Sequence, residues 1–200
     1  MRETLTPSQL AALAYYSPMR FNNDFDQKLS FSLGERENFD MNLIRKALAP
    51  SCVSVEKTDA ETDKTGVDYI ATLRRGATIL IDAKSREKGS SRFWKNGEPE
   101  LALEKWSVYP DPWQQGKAGW TLNEKRNTDM ILYTFDPSDT RTYYLLPFHH
   151  LRMAFMHNLK AWEQRYGLKK QVSRRWRSEA VFVPAGVVLD AIRKEMQFAA

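Results

Sequence analysis

Asp68, Asp82 and Lys84 are spaced so that one β-hairpin would gather two carboxylates and an ammonium on a single sheet surface. The first strand reads Gly66-Val67-Asp68-Tyr69-Ile70-Ala71-Thr72-Leu73, and Arg74-Arg75-Gly76 follows as a turn. The second strand reads Ala77-Thr78-Ile79-Leu80-Ile81-Asp82-Ala83-Lys84. Three-residue hairpin loops use a type I turn followed by a left-handed residue, which glycine adopts without strain. Pairing Leu73 with Ala77 then sets Asp68 opposite Asp82. Because side chains alternate along a strand, Asp68, Ile70, Leu80, Asp82 and Lys84 share one face. The other face carries Val67, Tyr69, Ala71, Leu73, Ala77, Ile79, Ile81 and Ala83, apolar apart from the tyrosine hydroxyl. A two-residue turn would break this segregation by placing Asp68 among the apolar side chains.

Carboxylates set directly opposite each other on a sheet repel, so this pair needs compensation. Lys84 supplies one positive charge. A hard divalent cation would supply more, since carboxylate oxygens are the ligands magnesium prefers. The plainer alternative is a surface pair of Asp82 with Lys84, which contributes little.

These residues resemble the signature of the PD-(D/E)XK nuclease superfamily. That signature is an acid opening one strand and (D/E)-X-K on the next, here Asp68 and Asp82-Ala83-Lys84. Val67 stands where the signature has proline, and the resemblance spans roughly residues 31–84. It implies a restriction-endonuclease-like α/β fold, a mixed β-sheet flanked by α-helices, and metal-dependent hydrolysis of phosphodiester bonds in DNA. Asp68 and Asp82 would hold magnesium, or manganese in its place, with the Ala83 carbonyl as a neutral oxygen ligand. Lys84, kept protonated by the carboxylates, would orient the attacking water or stabilise charge building on the phosphorus oxygens. Such families also place an acid on the preceding helix, where Glu35, Glu37 and Asp40 are available. Ser32 and Glu35 fit a capping box, which gives Glu35 a structural role. Glu37 falls near the apolar stripe of Ile44 and Leu48 and is assigned as the fourth catalytic side chain; Asp40 also projects inward.

Farther along, Lys169, Lys170, Arg174, Arg175 and Arg177, with Trp176 among them, form a strip suited to nucleic-acid phosphates and to stacking on a base. An exposed charged loop with Trp176 in the core fits the same residues equally well. Lys125, Arg126 and Asp129 read as a solvated loop before a strand, within reach of substrate phosphates or a second metal only if the fold brings them there. Glu100 and Glu104 sit i,i+4 on a segment that fits helix or strand, and on a helix Glu104 would extend the site. Trp94, Trp113 and Trp120 read as anchors of their loops. His149, His150 and His157 lack the i,i+4 spacing of a helical zinc site.

The elements that position these groups begin with a helix over Thr6–Tyr16 and a loop over Ser17–Lys28. A second helix runs from about Leu33 to Leu48, with Phe39, Leu43, Ile44, Ala47 and Leu48 at helical spacing. Cys52–Val55 is a short strand, and the hairpin follows. Ser85–Asn96 has no apolar period and reads as a mobile connector. Met130–Phe135 and Tyr143–Leu146 are strands across the turn Asp136-Pro137-Ser138-Asp139. Pro147 opens a helix through Phe148, Leu151, Phe155, Leu159 and Trp162. Residues 167–177 read as a basic connector, Val181–Val183 as a strand, and Pro184 precedes a last helix to about Gln197. The order is mixed α/β. The expected organisation is one domain over 1–200, its core at about 31–165 and a basic C-terminal segment at about 167–200.

At 200 residues, 42% hydrophobic and 28% charged, the chain suits a folded soluble protein with a sizeable core, not a disordered one. The net charge is +5, and residues 151–200 hold ten Lys or Arg against four Asp or Glu. A neutral body with a basic last quarter suits a polyanion partner. Cys52 is the single cysteine, which excludes an intrachain disulfide framework and a cysteine zinc cluster. With no membrane-length apolar stretch and no charged-then-apolar leader, the expected setting is cytoplasmic and the expected partner DNA, without a membrane. A homodimer is compatible with cutting both strands, although the sequence carries no interface signal. The rival functions are a nucleic-acid-binding module that keeps the fold without cutting, and a protein-interaction domain whose affinity ignores salt.

Overall fold

The computed structural model describes residues 33–111, 114–136, 140, 142–172 and 177–198. The helix expected at Thr6–Tyr16 lies outside them. Packing groups the chain into two compact units. One comprises the residues up to Arg92 together with Asn127–Phe148, and the other comprises Phe93–Arg126 together with the residues from His149.

The first unit is built on a mixed five-stranded sheet. Its strands are β1 (Cys52–Lys57), β2 (Tyr69–Leu73), β3 (Thr78–Arg86), β6 (Met130–Phe135) and β7 (Tyr143–Pro147), side by side in that order. All neighbours run antiparallel except β3 and β6. A parallel pair needs a long crossover, and here residues 87–129 form it. Helix α1 (Leu33–Ala47) contributes Leu43 and Ile44, and Leu48 follows it, to a core with Tyr69, Ala71, Ile79, Ile81, Met130 and Leu132. These are the apolar stripe of the helix and the odd-numbered face of the hairpin, so helix and strand periodicities meet on one surface. Arg45 and Lys46 occupy the last helical turn, where cations complement the exposed carbonyls.

The hairpin has the register that the alternation demands. Tyr69 pairs with Ile81, Ile70 with Leu80 and Ala71 with Ile79. The Leu73 amide donates to the Ala77 carbonyl at 2.8 Å and Gly76 to Leu73 at 2.9 Å. Gly76 sits at φ +80°, the left-handed position of the turn. Between β1 and β2, a four-residue helix α2 (Ala60–Asp63) is capped by Asp59, which accepts from the Glu61 and Thr62 amides at 3.1 and 2.8 Å.

The second unit is a four-stranded antiparallel sheet. Its strands β4 (Glu100–Val108), β5 (Lys117–Ala118), β8 (Leu168–Val172) and β9 (Arg177–Pro184) stand in the order β5-β4-β9-β8. Helices α3 (Phe148–Tyr166) and α4 (Ala185–Phe198) complete it. Leu151, Phe155 and Trp162 of α3 are buried at the expected helical intervals. Gly167, at φ +80°, ends α3 by donating to the Glu163 carbonyl at 3.0 Å.

One choice left open by the sequence is settled, and two expectations need correction. Residues 100–108 are strand, not helix, because β4 is sandwiched between β5 and β9 and its pairing is long-range. The basic connector is instead strand β8 leading into an eight-residue β9. Along β8 the residues after Leu168 are all exposed, so no apolar alternation marks it as a strand. The connector expected from Ser85 starts later, since β3 runs on to Arg86 in register with Phe135, and short helical turns follow at Ser90–Phe93 and Lys95–Gly97. Helix α2 is too short to show a period. Among the described residues no helix is long and apolar enough to cross a membrane.

Candidate functional site

Asp68 stands just before β2, where the ladder with β3 has ended at Tyr69 and Ile81. Its amide donates to the Ile81 carbonyl at 2.9 Å, and its Oδ2 accepts from the Ala83 amide at 2.6 Å. The carboxylate thus takes the place of a strand carbonyl where β2 ends against β3. Asp82 is only 1% exposed, and Leu80 beside it on that face is also buried. Lys84 reaches back along β3, its Nζ 2.6 Å from Asp82 Oδ1 and 3.3 Å from the Ala83 carbonyl. One strand therefore delivers an acid and its counter-cation from positions i and i+2 of the same face.

The carboxyl of Asp68 lies above the usual aspartate range. Burial is the main cause; the adjacent Asp82 carboxylate and a hydrogen bond to it push the same way, while the Ala83 amide and Lys84 oppose. Asp63, which the sequence does not single out, joins this group. A hydrogen bond with Asp68 raises its carboxyl, and burial and the charge of Asp68 add to it. The turn after α2 brings it there, with the Gly66 amide on the Asp63 carbonyl at 2.8 Å and the Thr128 hydroxyl on the Gly66 carbonyl.

The helix acids separate in role. Glu37 is ion-paired with Lys57 of β1, and this bond is the main cause that lifts the Lys57 ammonium above its ordinary range. Asp40 is 3% exposed and accepts from the Tyr69 hydroxyl at 3.3 Å through Oδ2, while Oδ1 has no hydrogen-bond partner among the described residues. Burial raises its carboxyl from 3.8 to about 6, Asp68 adding to the rise and Arg36, Tyr69 and Lys57 opposing it. Of the two, Asp40 carries the resolved electrostatic coupling to Asp68. The side chain of Glu35 lies outside the described residues.

Oxygen donors and a cation in this arrangement fit a hard divalent metal. Asp68, Asp82 and the Ala83 carbonyl would hold it. Among the described residues no three His, Cys, Asp or Glu side chains form a ready-made metal cage. Magnesium, which keeps several waters and takes one or two carboxylates plus substrate oxygens, does not require one.

The other candidates lie elsewhere in function. Asp129 stands just before β6, its Oδ2 accepting from the Leu80 amide at 2.8 Å and its amide donating to the Leu80 carbonyl at 2.8 Å. Glu104 accepts from the Trp120 amide at 3.0 Å within the second unit, and Glu100 is buried there. His157 bonds Glu195 at 2.8 Å. Of the basic strip, Arg174, Arg175 and Trp176 lie outside the described residues. Lys169 is exposed opposite Ala180, whereas Lys170 and Arg177 share the other face of the β8–β9 pair. Lys170 there approaches Glu179 at 3.5 Å and the Tyr109 ring at 5.8 Å.

Compared with protein-family models, curated proteins and solved structures, the chain matches none. The PD-(D/E)XK resemblance therefore rests on the hairpin and its side chains alone.

Proposed function

We propose that the Asp68–Asp82–Lys84 cluster is the active site of a metal-dependent nuclease that hydrolyses phosphodiester bonds of DNA. The observation that carries this reading is the hairpin register. It pairs Tyr69 with Ile81, which leaves Asp68 at the end of the ladder beside Asp82, and Asp82 meets a lysine at 2.6 Å, a costly arrangement unless it serves a ligand. A bound magnesium would polarise the phosphoryl oxygen and make hydroxide available near neutral pH. Lys84, on the exposed side of Asp82, presents an ammonium to the charge that builds on the phosphorus oxygens. Burial and the neighbouring Asp82 raise the Asp68 carboxyl, a strain that a bound divalent cation would relieve. Asp82 is held rigid by its burial, which orients both Lys84 and the Ala83 carbonyl.

A second reading, a binding module that does not cut, draws support from the same burial, since the Asp82–Lys84 pair already satisfies much of its own charge. The test is incubation with plasmid and with single-stranded DNA in magnesium, manganese or chelator. Cleavage in metal and none in chelator supports the nuclease. Binding without cleavage in every metal supports the module instead.

A further inference from the structure

A cleft of about 240 Å³ opens at the carboxyl-terminal ends of β3 and β6, beside the amino-terminal half of α1. In open α/β sheets this rim, where parallel strands end, is where ligands bind. Pockets for drug-sized molecules run roughly 300–1,000 Å³, so this one has room for a single base and not for a helix. Its walls combine an aromatic ring, Phe39, the hydroxyls of Ser85 and Thr134, and the exposed cations Arg36 and Lys88.

We infer that this cleft holds one nucleotide unit of a single nucleic-acid strand, its phosphate on Arg36 and Lys88 and its base against Phe39. The inference deepens the nuclease reading and rests on it for the choice of a polynucleotide. Lys84 and Arg86 lie on one face of β3, and strand geometry separates such neighbours by about 7 Å. Arg86, at the end of the strand that carries Lys84, also lines the cleft.

Asp40 also lines the cleft, and its Oδ1 is a buried acceptor with no donor among the described residues. Such atoms call for an explanation, and an amino group on a base edge supplies the missing N–H. Thymine lacks that group. The carboxylates of Glu87 and Asp136 also line the walls, which limits the site to one phosphate and not a run of them.

The experiment is an amide NMR titration in chelator with each deoxynucleoside 5′-monophosphate, with inorganic phosphate, and with the Arg36→Ala/Lys88→Ala double variant. Expected are saturable shifts at Phe39, Ser85 and Thr134, at least tenfold weaker binding of phosphate alone, and thymidine monophosphate weakest of the four. The double variant is expected to lose at least tenfold in affinity with its spectrum otherwise intact. Absence of shifts there, equal affinity for inorganic phosphate, or a double variant that binds as well as the parent overturns the inference. Nucleotide binding with no DNA cleavage in any metal upholds the cleft and overturns the nuclease. Cleavage without nucleotide binding does the reverse.

Discussion

Replacing Asp40 by asparagine removes a buried carboxyl while keeping its shape and an oxygen for the Tyr69 hydroxyl. In the folded chain this carboxyl holds its proton up to about pH 6, against 3.8 ordinarily. Folding therefore binds a proton between those values. Stability from this group is fully present below the unfolded value and is lost as pH rises through the folded one. The difference corresponds to about 3 kcal/mol in total, of which about 2 kcal/mol falls between pH 4.5 and 8. Asp68 and Asp63 are raised as well and give the parent protein a slope of the same sign. Comparing parent with D40N cancels most of that common slope.

All six tryptophans lie outside the unit that contains Asp40, so their fluorescence would report on the wrong part of the chain. Urea unfolding followed by far-UV circular dichroism, at pH 4.5 and at pH 8, is the suitable assay. D40N should gain on the parent by about 2 kcal/mol on going from the lower pH to the higher. A D40N protein destabilised equally at both pH values would refute the reasoning, because Asp40 would then not be a carboxyl that resists ionisation. A side chain that lowers stability near neutrality is what a ligand-serving position looks like in energetic terms.

Asp82→Asn should slow DNA cleavage about a thousandfold, several kcal/mol of transition-state stabilisation, with affinity in chelator held or improved as one negative charge is gone. Lys84→Ala is the poorer test, since it strands the Asp82 charge in a buried position and costs about 3–5 kcal/mol of stability; a thermal melt of each variant separates the two effects. Gly76→Ala forces a side chain into the left-handed turn and should cost about 1–2 kcal/mol in chemical denaturation, with no clash, because no atom lies within 4 Å of the added carbon. Gly119→Ala meets backbone, with Glu104 O at 2.3 Å from the new carbon. It should destabilise the second unit by about 1–3 kcal/mol, visible as faster proteolysis between β4 and β6.

The elements that were legible are those whose pattern is local. The hairpin announces itself through strict alternation and a glycine at the one turn position that needs it. Helix α1 shows a stripe ending before Pro50, and α3 spaces its aromatics over several turns. What stayed hidden depends on partners far away in the chain. β4 offers both periods and becomes strand because β9 pairs with it. β8 has an exposed run with no alternation, and only its hydrogen bonds to β9 define it. The parallel pairing of β3 with β6 extends β3 to Arg86 across a crossover that no local signal announces.

The site divides along the same line. Asp68, Asp82 and Lys84 belong to one hairpin, so local pairing brings them together. Choosing the helix acid requires knowing how α1 lies on the sheet, which the helical period alone does not fix. The coordinates separate them by environment: Glu37 is half-exposed and neutralised by Lys57, whereas Asp40 is buried, bonded to Tyr69 and electrically coupled to Asp68. Asp63 had no sequence signal because its helix has four residues and its route to Asp68 is a turn held by the Thr128 hydroxyl from the far end of the crossover. Charge itself carries the consequence. Asp68 raises the hold of Asp63 on a proton, with Lys57 and Lys84 opposing, so an ion that replaced that proton would meet two carboxylates where the sequence pattern shows one. Measuring magnesium affinity for Asp63→Asn against Lys57→Ala would show which of these outer charges sets it.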